Sequence, residues 1–242
     1  MSNHDRKNDL IFAALLLAMG IAAGGYFISE TLYKSKVALN TAEVKGLAER
    51  RVEADTAYWS IQYTVTGKNK SELSQLYEES EADQKKIISL LKNSGFADEE
   101  IKPGVINYVK QEFRDENQKL VEEKHSLVGE IVVQTQKVRL VSEGRAKLNT
   151  LIAQGLDVKN NAPAYYFTRL NEIKPEMLKE ATTNARIAAN EFAENADVKV
   201  GGIRSARQGG FEIRDVGENY GDTKKIEKDV RVVTTVTFFL TD

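Results

Sequence analysis

The chain has no cysteine among its 242 residues. That excludes disulfides, thiolate metal sites, a cysteine nucleophile and lipid attachment to an N-terminal cysteine. Histidine is almost as scarce. His4 stands in the N-terminal tail, which leaves His125 alone for a folded domain. A Ser-His-Asp triad would have to use His125, yet it lies in the charged segment VEEKHSL with no Gly-x-Ser-x-Gly turn nearby. We read it as a solvated loop or strand-end residue, and a histidine-based metal site fails for want of partners. A basic excess is also missing. With 34 basic and 36 acidic residues the net charge is −2, and no aromatic-plus-basic motif is present, so nucleic acid is not an expected partner.

Other ligand signatures are incomplete. Asp115, Glu116, Glu122 and Glu123 cluster in one polar segment, and Asp215, Glu218 and Asp222 in another. Neither has the Asp-x-Asp-x-Asp-Gly spacing of a preformed calcium loop, and the interspersed Lys and Arg read as solvation. The pairs Gly201-Gly202 and Gly209-Gly210 lack the Gly-Lys-Ser/Thr ending and the helix start that a phosphate cradle requires. We read them as strand bulges. No catalytic residue, cofactor or metal is therefore expected.

What the chain does have is a long apolar run. Leu10 to Ser29 is uncharged, long enough to cross a bilayer core of about 30 Å as a helix. It reads as a retained signal-anchor, with a cleaved signal peptide and a buried helix as the alternatives. Gly20 and Gly24 form a Gly-x-x-x-Gly pair, a candidate for membrane-helix packing. The expected layout is a tail over 1–9, a span over 10–29, a polar linker over 30–41 and a folded domain over 42–242. Hydrophobic residues make up 41% and charged residues 29%, so that domain should hold a substantial core.

The segment EADTAYWSIQYTVTG contains the chain's only tryptophan and alternates with period two. Ala57, Trp59, Ile61, Tyr63 and Val65 should face a core; Tyr58, Ser60, Gln62, Thr64 and Thr66 should face water. The strand group 42–67 should turn or bulge near Arg50 and Arg51. A helix follows with Leu73, Leu76, Tyr77, Ser80, Gln84, Ile87, Ile88 and Leu91 on one stripe, capped by Asn69 and closed at Gly95. Next come a strand over 101–113, a polar segment, and a strand carrying Leu127, Ile131 and Val133. A shorter linking helix spans about 139–153, and APAYYFTRL reads as a strand. Pro175 suits a first helical turn, and the helix behind it places Leu178, Ala181, Thr182, Ala185, Ala189 and Phe192 on one stripe. The last strand, VRVVTTVTFFL, turns Val230, Val232, Thr234, Val236, Phe238 and Leu240 inward. The spacing predicts an α/β chain of the α+β type: two β-α-β-β units, a linking helix and largely antiparallel sheet, behind one transmembrane helix.

Four segments resemble the SIMPL-domain family of bacterial envelope proteins. VKGLAERRVEADTAYWSI resembles its opening strand and Pro-Asp-x-Ala corner, with Ala54 in place of the proline and Ala48 in place of a second glycine. LIAQGLDV with APAYYFTRL resembles its central helix and following strand. EATTNARIAANEFAENADVKVGGI resembles its alanine-rich helix, with Asp197 where a glycine is usual. VVTTVTFFL resembles its terminal strand. The resemblance implies a mixed α/β fold, secretion or membrane anchoring, a tendency to oligomerise, a link to envelope or oxidative stress, and no established catalytic residues.

The expectation is thus a non-enzymatic protein tethered to the bacterial inner membrane by one span. Its C-terminal domain should lie in the periplasm or outside the cell, acting through self-association or a protein partner. The charge-free outer faces at Tyr58, Thr64 and Thr66, and at Thr235, Thr237 and Phe239, are the candidate surfaces for a homo-oligomer. The alternative is an extracytoplasmic small-ligand or glycan-binding module using exposed members of Tyr58, Trp59, Tyr63, Tyr165, Tyr166 and Phe167, with a hydrolase as a distant third.

Overall fold

A computed structural model describes residues 3–37 and 40–241. In chain order the elements are α1 (Asn3–Val37), β1 (Thr41–Glu53), β2 (Thr56–Gly67), α2 (Leu73–Asn93), β3 (Ile101–Pro103), β4 (Asn107–Arg114), β5 (Leu120–Thr135), α3 (Leu140–Ala153), β6 (Val158–Asn160), β7 (Ala164–Tyr166), α4 (Leu170–Asn195), β8 (Lys199–Asp215) and β9 (Glu227–Thr241). The architecture is α+β with antiparallel sheets. β3-β5-β2-β6 form the spine of one sheet, with β4 also on β5 and β7 also on β2. The second sheet has the order β1-β9-β8. The expected β-α-β-β order is present twice with α3 between, but the strands are dealt across sheets. β7 pairs with β2, and β1, the first strand of the chain, pairs with β9, the last.

The chain forms two compact units. One comprises Glu49–Met177 and Phe211–Arg231. Its core is the inner face of β2, where Ala57, Trp59, Ile61, Tyr63 and Val65 are all buried as their alternation demands. Trp59 packs beside Phe96, and its indole N–H donates to Asn160 Oδ1 at 3.1 Å. Tyr63 lies over Gly129, its register partner on β5; a Cβ there would sit 2.1 Å from the ring. α2 buries Leu76, Ser80, Ile87 and Leu91. Tyr77, expected on that stripe, is exposed, and Asp83 takes the buried place. At the helix start Asn69 donates twice to the Glu72 carboxylate, from its side-chain Nδ2 to Oε1 at 2.6 Å and from its backbone N–H to Oε2 at 3.4 Å.

The other unit comprises Met1–Ala48, Leu178–Gly210 and Val232–Asp242. Val44, Ala185, Ala189, Val236 and Phe238 form its core. The alanine stripe lets α4 approach β1 closely: a Cβ on Gly46 would lie 1.8 Å from the carbonyl oxygen of Ala181. Phe192 is not part of that stripe. The buried positions step by four through Ala181, Ala185, Ala189 and Ala193, which turns Phe192 out to 65% exposure. In α1 the segment Ile11–Tyr33 is long and apolar enough to cross a membrane, and none of it is buried against the rest of the chain. The buried-helix alternative therefore fails. α1 also runs on through residues read as tail and linker, and positions 38 and 39 of that linker lie outside the described residues.

Several boundaries differ from expectation for identifiable reasons. The break between β1 and β2 falls at Ala54 and Asp55, not at Arg50 and Arg51. β5 begins at Leu120, so LVEEKH is strand and the polar loop shrinks to a tight turn. APAYYFTRL keeps only β7 as strand, because α4 begins at Leu170. Pro175 consequently sits inside α4, where it cannot donate the usual helical hydrogen bond. The early start has a cap that no local pattern reveals: Asp55 accepts from the backbone N–H of Thr168 at 2.8 Å and of Arg169 at 3.1 Å.

Candidate interaction surface

The candidate surface residues fall on two different sheets. Tyr58 and Thr66 are exposed on the wet face of β2 and Thr64 is half-buried there. Thr235, Thr237 and Phe239 are half-buried on the face of β9 opposite Val236 and Phe238, with Thr237 accepting from Ser205 at 3.1 Å. The structure gathers each trio on one face without placing the two on one sheet. The charge-free stripe of β2 is also only one strand wide. Ser60 donates to Glu130 Oε1 at 2.5 Å, Gln62 stands in register between Glu130 and Lys159, and Lys102 donates to Gln134 at 2.7 Å. Sequence alternation reads one strand at a time and cannot see these neighbours. Gly20 and Gly24 are exposed on α1 with open space around them.

Two edge strands are more open than either trio. Every residue of β4 is exposed, and β4 pairs with β5 alone among the described strands. Its turn is built by Asp115, whose Oδ1 accepts from the backbone N–H of Asn117 and Lys119, both at 2.9 Å. Alternation sets Tyr108, Lys110, Glu112 and Arg114 on one face and Val109, Gln111 and Phe113 on the other. Lys110 pairs with Glu112 at 2.8 Å and Glu123 at 2.7 Å, and Arg114 with Glu112 at 2.7 Å. Hydrogen bonds from Lys110 and Arg114 pull the Glu112 carboxyl down to about 2, and those to Glu112 and Glu123 raise the Lys110 ammonium. β8 is the second open edge, with Gly202–Gly210 exposed throughout. Gly201 and Gly209 lie against the backbone of β9, at 3.2 Å from Phe239 O and 2.7 Å from Val233 O for an added Cβ.

His125 is not a solvated residue. It is 1% exposed, its Nδ1 is 2.7 Å from Tyr108 Oη, and the two rings stack within 10° of parallel. Glu123 lies 3.6 Å from Nε2. The longer β5 puts His125 on the same inward face as Leu127, which its charged sequence neighbours conceal. Asp215 is likewise buried rather than part of a solvated acidic loop. Lys228, fully buried, donates to Asp215 Oδ1 at 2.5 Å and to the carbonyl of Asp222 at 2.6 Å. Burial pushes the Asp215 carboxyl up, but the bonds from Lys228 and from the amides of Lys224 and Lys225 outweigh it and hold the carboxyl below its ordinary range.

A family model described as SIMPL, a protein of unknown function (DUF541), matches residues 42–238. The chain belongs to the SIMPL family. No curated protein matches it. Two of the three positions read as departures from the SIMPL pattern, Ala54 and Asp197, have a physical account in the structure. Ala54 stands in place of the corner proline and donates its N–H to Ile226 O at 2.7 Å, a bond a proline could not make. The corner aspartate, Asp55, accepts four bonds from Thr168 and Arg169 and one from Thr56. Burial raises its carboxyl, but these bonds win and leave it below the ordinary range. Asp197 adopts the left-handed conformation, φ +54°, at the end of α4. Val198 N–H bonds Ala193 O there, matching the pattern at Gly95 and Gly155 after α2 and α3. The turn keeps its shape without its glycine.

Among the described residues of this chain, the clefts are open to solvent and each is lined in part by charged side chains. A hollow of about 600 Å³ between α2 and α3 is lined by Lys85, Lys86 and Lys147 among others. A cleft of about 380 Å³ at the corner holds Glu53 and Asp55, whose carboxylates are already paired with Arg139 and Arg169. Of the aromatics, Trp59, Tyr63 and Tyr165 are buried, and Tyr58 and Tyr166 meet edge to face at 5.8 Å, both exposed.

Proposed function

We propose that this SIMPL protein is a membrane-tethered assembly module of the bacterial envelope, with no catalytic role, working through self-association of its extracytoplasmic domain. The observation that carries the reading is the pair of edge strands β4 and β8, exposed over Asn107–Arg114 and over 202–210, each with a pairing strand on one side only among the described strands. An open edge offers a row of backbone donors and acceptors for another strand. The apolar segment Ile11–Tyr33 supplies the tether, and tethering raises the local concentration at which such edges meet. Light scattering on the full chain in detergent, corrected for bound detergent, should give a protein mass of at least two subunits. High-salt washing should leave the protein with the membrane. A monomer at tens of micromolar would overturn the reading. It would then favour the second one, a saccharide-binding module using the exposed perpendicular pair Tyr58 and Tyr166.

A further inference from the structure

We propose that two copies of the chain join edge to edge through β4, antiparallel, with Gln111 facing the partner's Gln111 across a two-fold axis. This rests on the self-association reading and names its surface. In that register Lys110 faces the partner's Glu112, Val109 faces the partner's Phe113 and Tyr108 faces the partner's Arg114, each pair occurring twice. One face of the joined strands becomes a ladder of opposite charges. The other carries two Val109–Phe113 pairs, one on each side of the central Gln111 pair, from apolar residues that stand 40% and 50% exposed in the single copy.

Charges on an edge usually prevent pairing. Here their signs alternate along one face, so they oppose most registers and favour one. Centring the axis on Lys110 sets lysine against lysine. Centring it on Glu112 sets glutamate against glutamate and Lys110 against the partner's Arg114. A centre on Val109 places Glu112 opposite Ile106, and a centre on Phe113 places Lys110 opposite Glu116; both partners lie beyond the ends of β4. Only the axis at Gln111 keeps Tyr108 to Arg114 within strand on both copies with opposite charges matched. The backbone agrees, because an outer edge of β4 with no partner among the described strands presents its groups to whichever strand arrives.

The chain contains no cysteine, which gives a clean background for cross-linking. Directly opposed Cα atoms in an antiparallel pair are about 4.5–5.5 Å apart, within the reach of a disulfide. Full-length Gln111→Cys in membranes, oxidised with copper phenanthroline, should migrate largely as a dimer on a non-reducing gel. Val109→Cys should stay single, because its two copies lie about 13 Å apart along the strands. Adding Lys110→Glu or Glu112→Lys to the Gln111→Cys chain should lower cross-linking about tenfold. Co-expressing the two should restore it, since each then meets opposite charge; a merely misfolded hairpin would not be rescued by mixing. If Gln111→Cys fails to cross-link while the full chain still scatters as an oligomer, the β4 pairing is wrong and self-association stands. If the full chain is a monomer, both fall.

Discussion

Gly46 marks the closest approach of β1 to α4, and replacing it with alanine is a direct test of how the second sheet is packed. The added Cβ would lie 1.8 Å from Ala181 O and 2.5 Å from Ala185 N, both backbone atoms that cannot rotate aside. Ordinary contact is about 3.5 Å, so helix and strand would have to part by about 1.5 Å. A gap of roughly half to one ångström already forfeits a quarter to a half of the dispersion energy between facing atoms. The layer concerned holds Val44, Ala185, Ala189, Val236 and Phe238. Overpacking usually costs about 1–3 kcal/mol, and the rigid backbone here puts Gly46→Ala near about 3 kcal/mol. Restricting the unfolded chain gives back about 0.4–1 kcal/mol. The net loss of about 2 kcal/mol corresponds to a Tm about 4–8 °C lower for a chain of this size. Circular dichroism melts of the purified full chain should show it. Gly202→Ala, with nothing within 4 Å of the new methyl group, serves as the control and should melt within about 1 °C of wild type. A Gly46→Ala protein that also melts within about 1 °C of wild type would refute the close packing of α4 on β1.

Asp197 holds a left-handed conformation that disfavours L side chains, so Asp197→Gly should raise stability by about 0.5–1 kcal/mol, seen as a higher urea midpoint at unchanged slope. A lower midpoint would mean that the aspartate side chain contributes something a glycine cannot. Lys228→Met would leave Asp215 buried without its cation and should cost about 3–5 kcal/mol. The depressed Asp215 carboxyl stabilises the fold above the ordinary carboxylate pKa and loses that contribution as pH falls through its folded-state value. Wild-type Tm should therefore drop below about pH 4, and Lys228→Met should show a shallower drop; an acid limb of equal steepness in both would count against the pair.

Much of the fold was legible because it rests on periodicity. The inward set of β2, the inward set of β9 from Val230 to Phe238 (Leu240 is only half-buried) and the glycine stop after α2 all follow from spacing and residue type along one segment. What could not be read was set by residues far away in the chain. The start of α4 depends on Asp55, more than a hundred positions earlier. The burial of His125 depends on Tyr108 across the hairpin, and that of Asp215 on a lysine that composition assigns to solvent. The proposed surface was legible only in part. The outer face of β2 was placed correctly, but the charged residues beside it belong to other strands, and the self-matching order of β4 has meaning only once β4 is known to be an edge. One local signal was available: Gly129, alone within an apolar strand, marks where the ring of Tyr63 lies down.

The pairing of β1 with β9 sets the timetable on which the protein can mature. β1 follows α1 within a few residues and so emerges early, whereas its partner comes last, with Leu240 N–H bonding Asn40 O at 2.8 Å. At about 5–20 residues per second, some ten to forty seconds of synthesis separate the two strands. Throughout that interval β1 is a strand without its β9 neighbour, open to proteases or to strands of other nascent chains. The three-stranded sheet is in effect a completion check. A chain cut short before Glu227 would lack β9 altogether, and both β1 and β8 would be left for quality-control proteases to find.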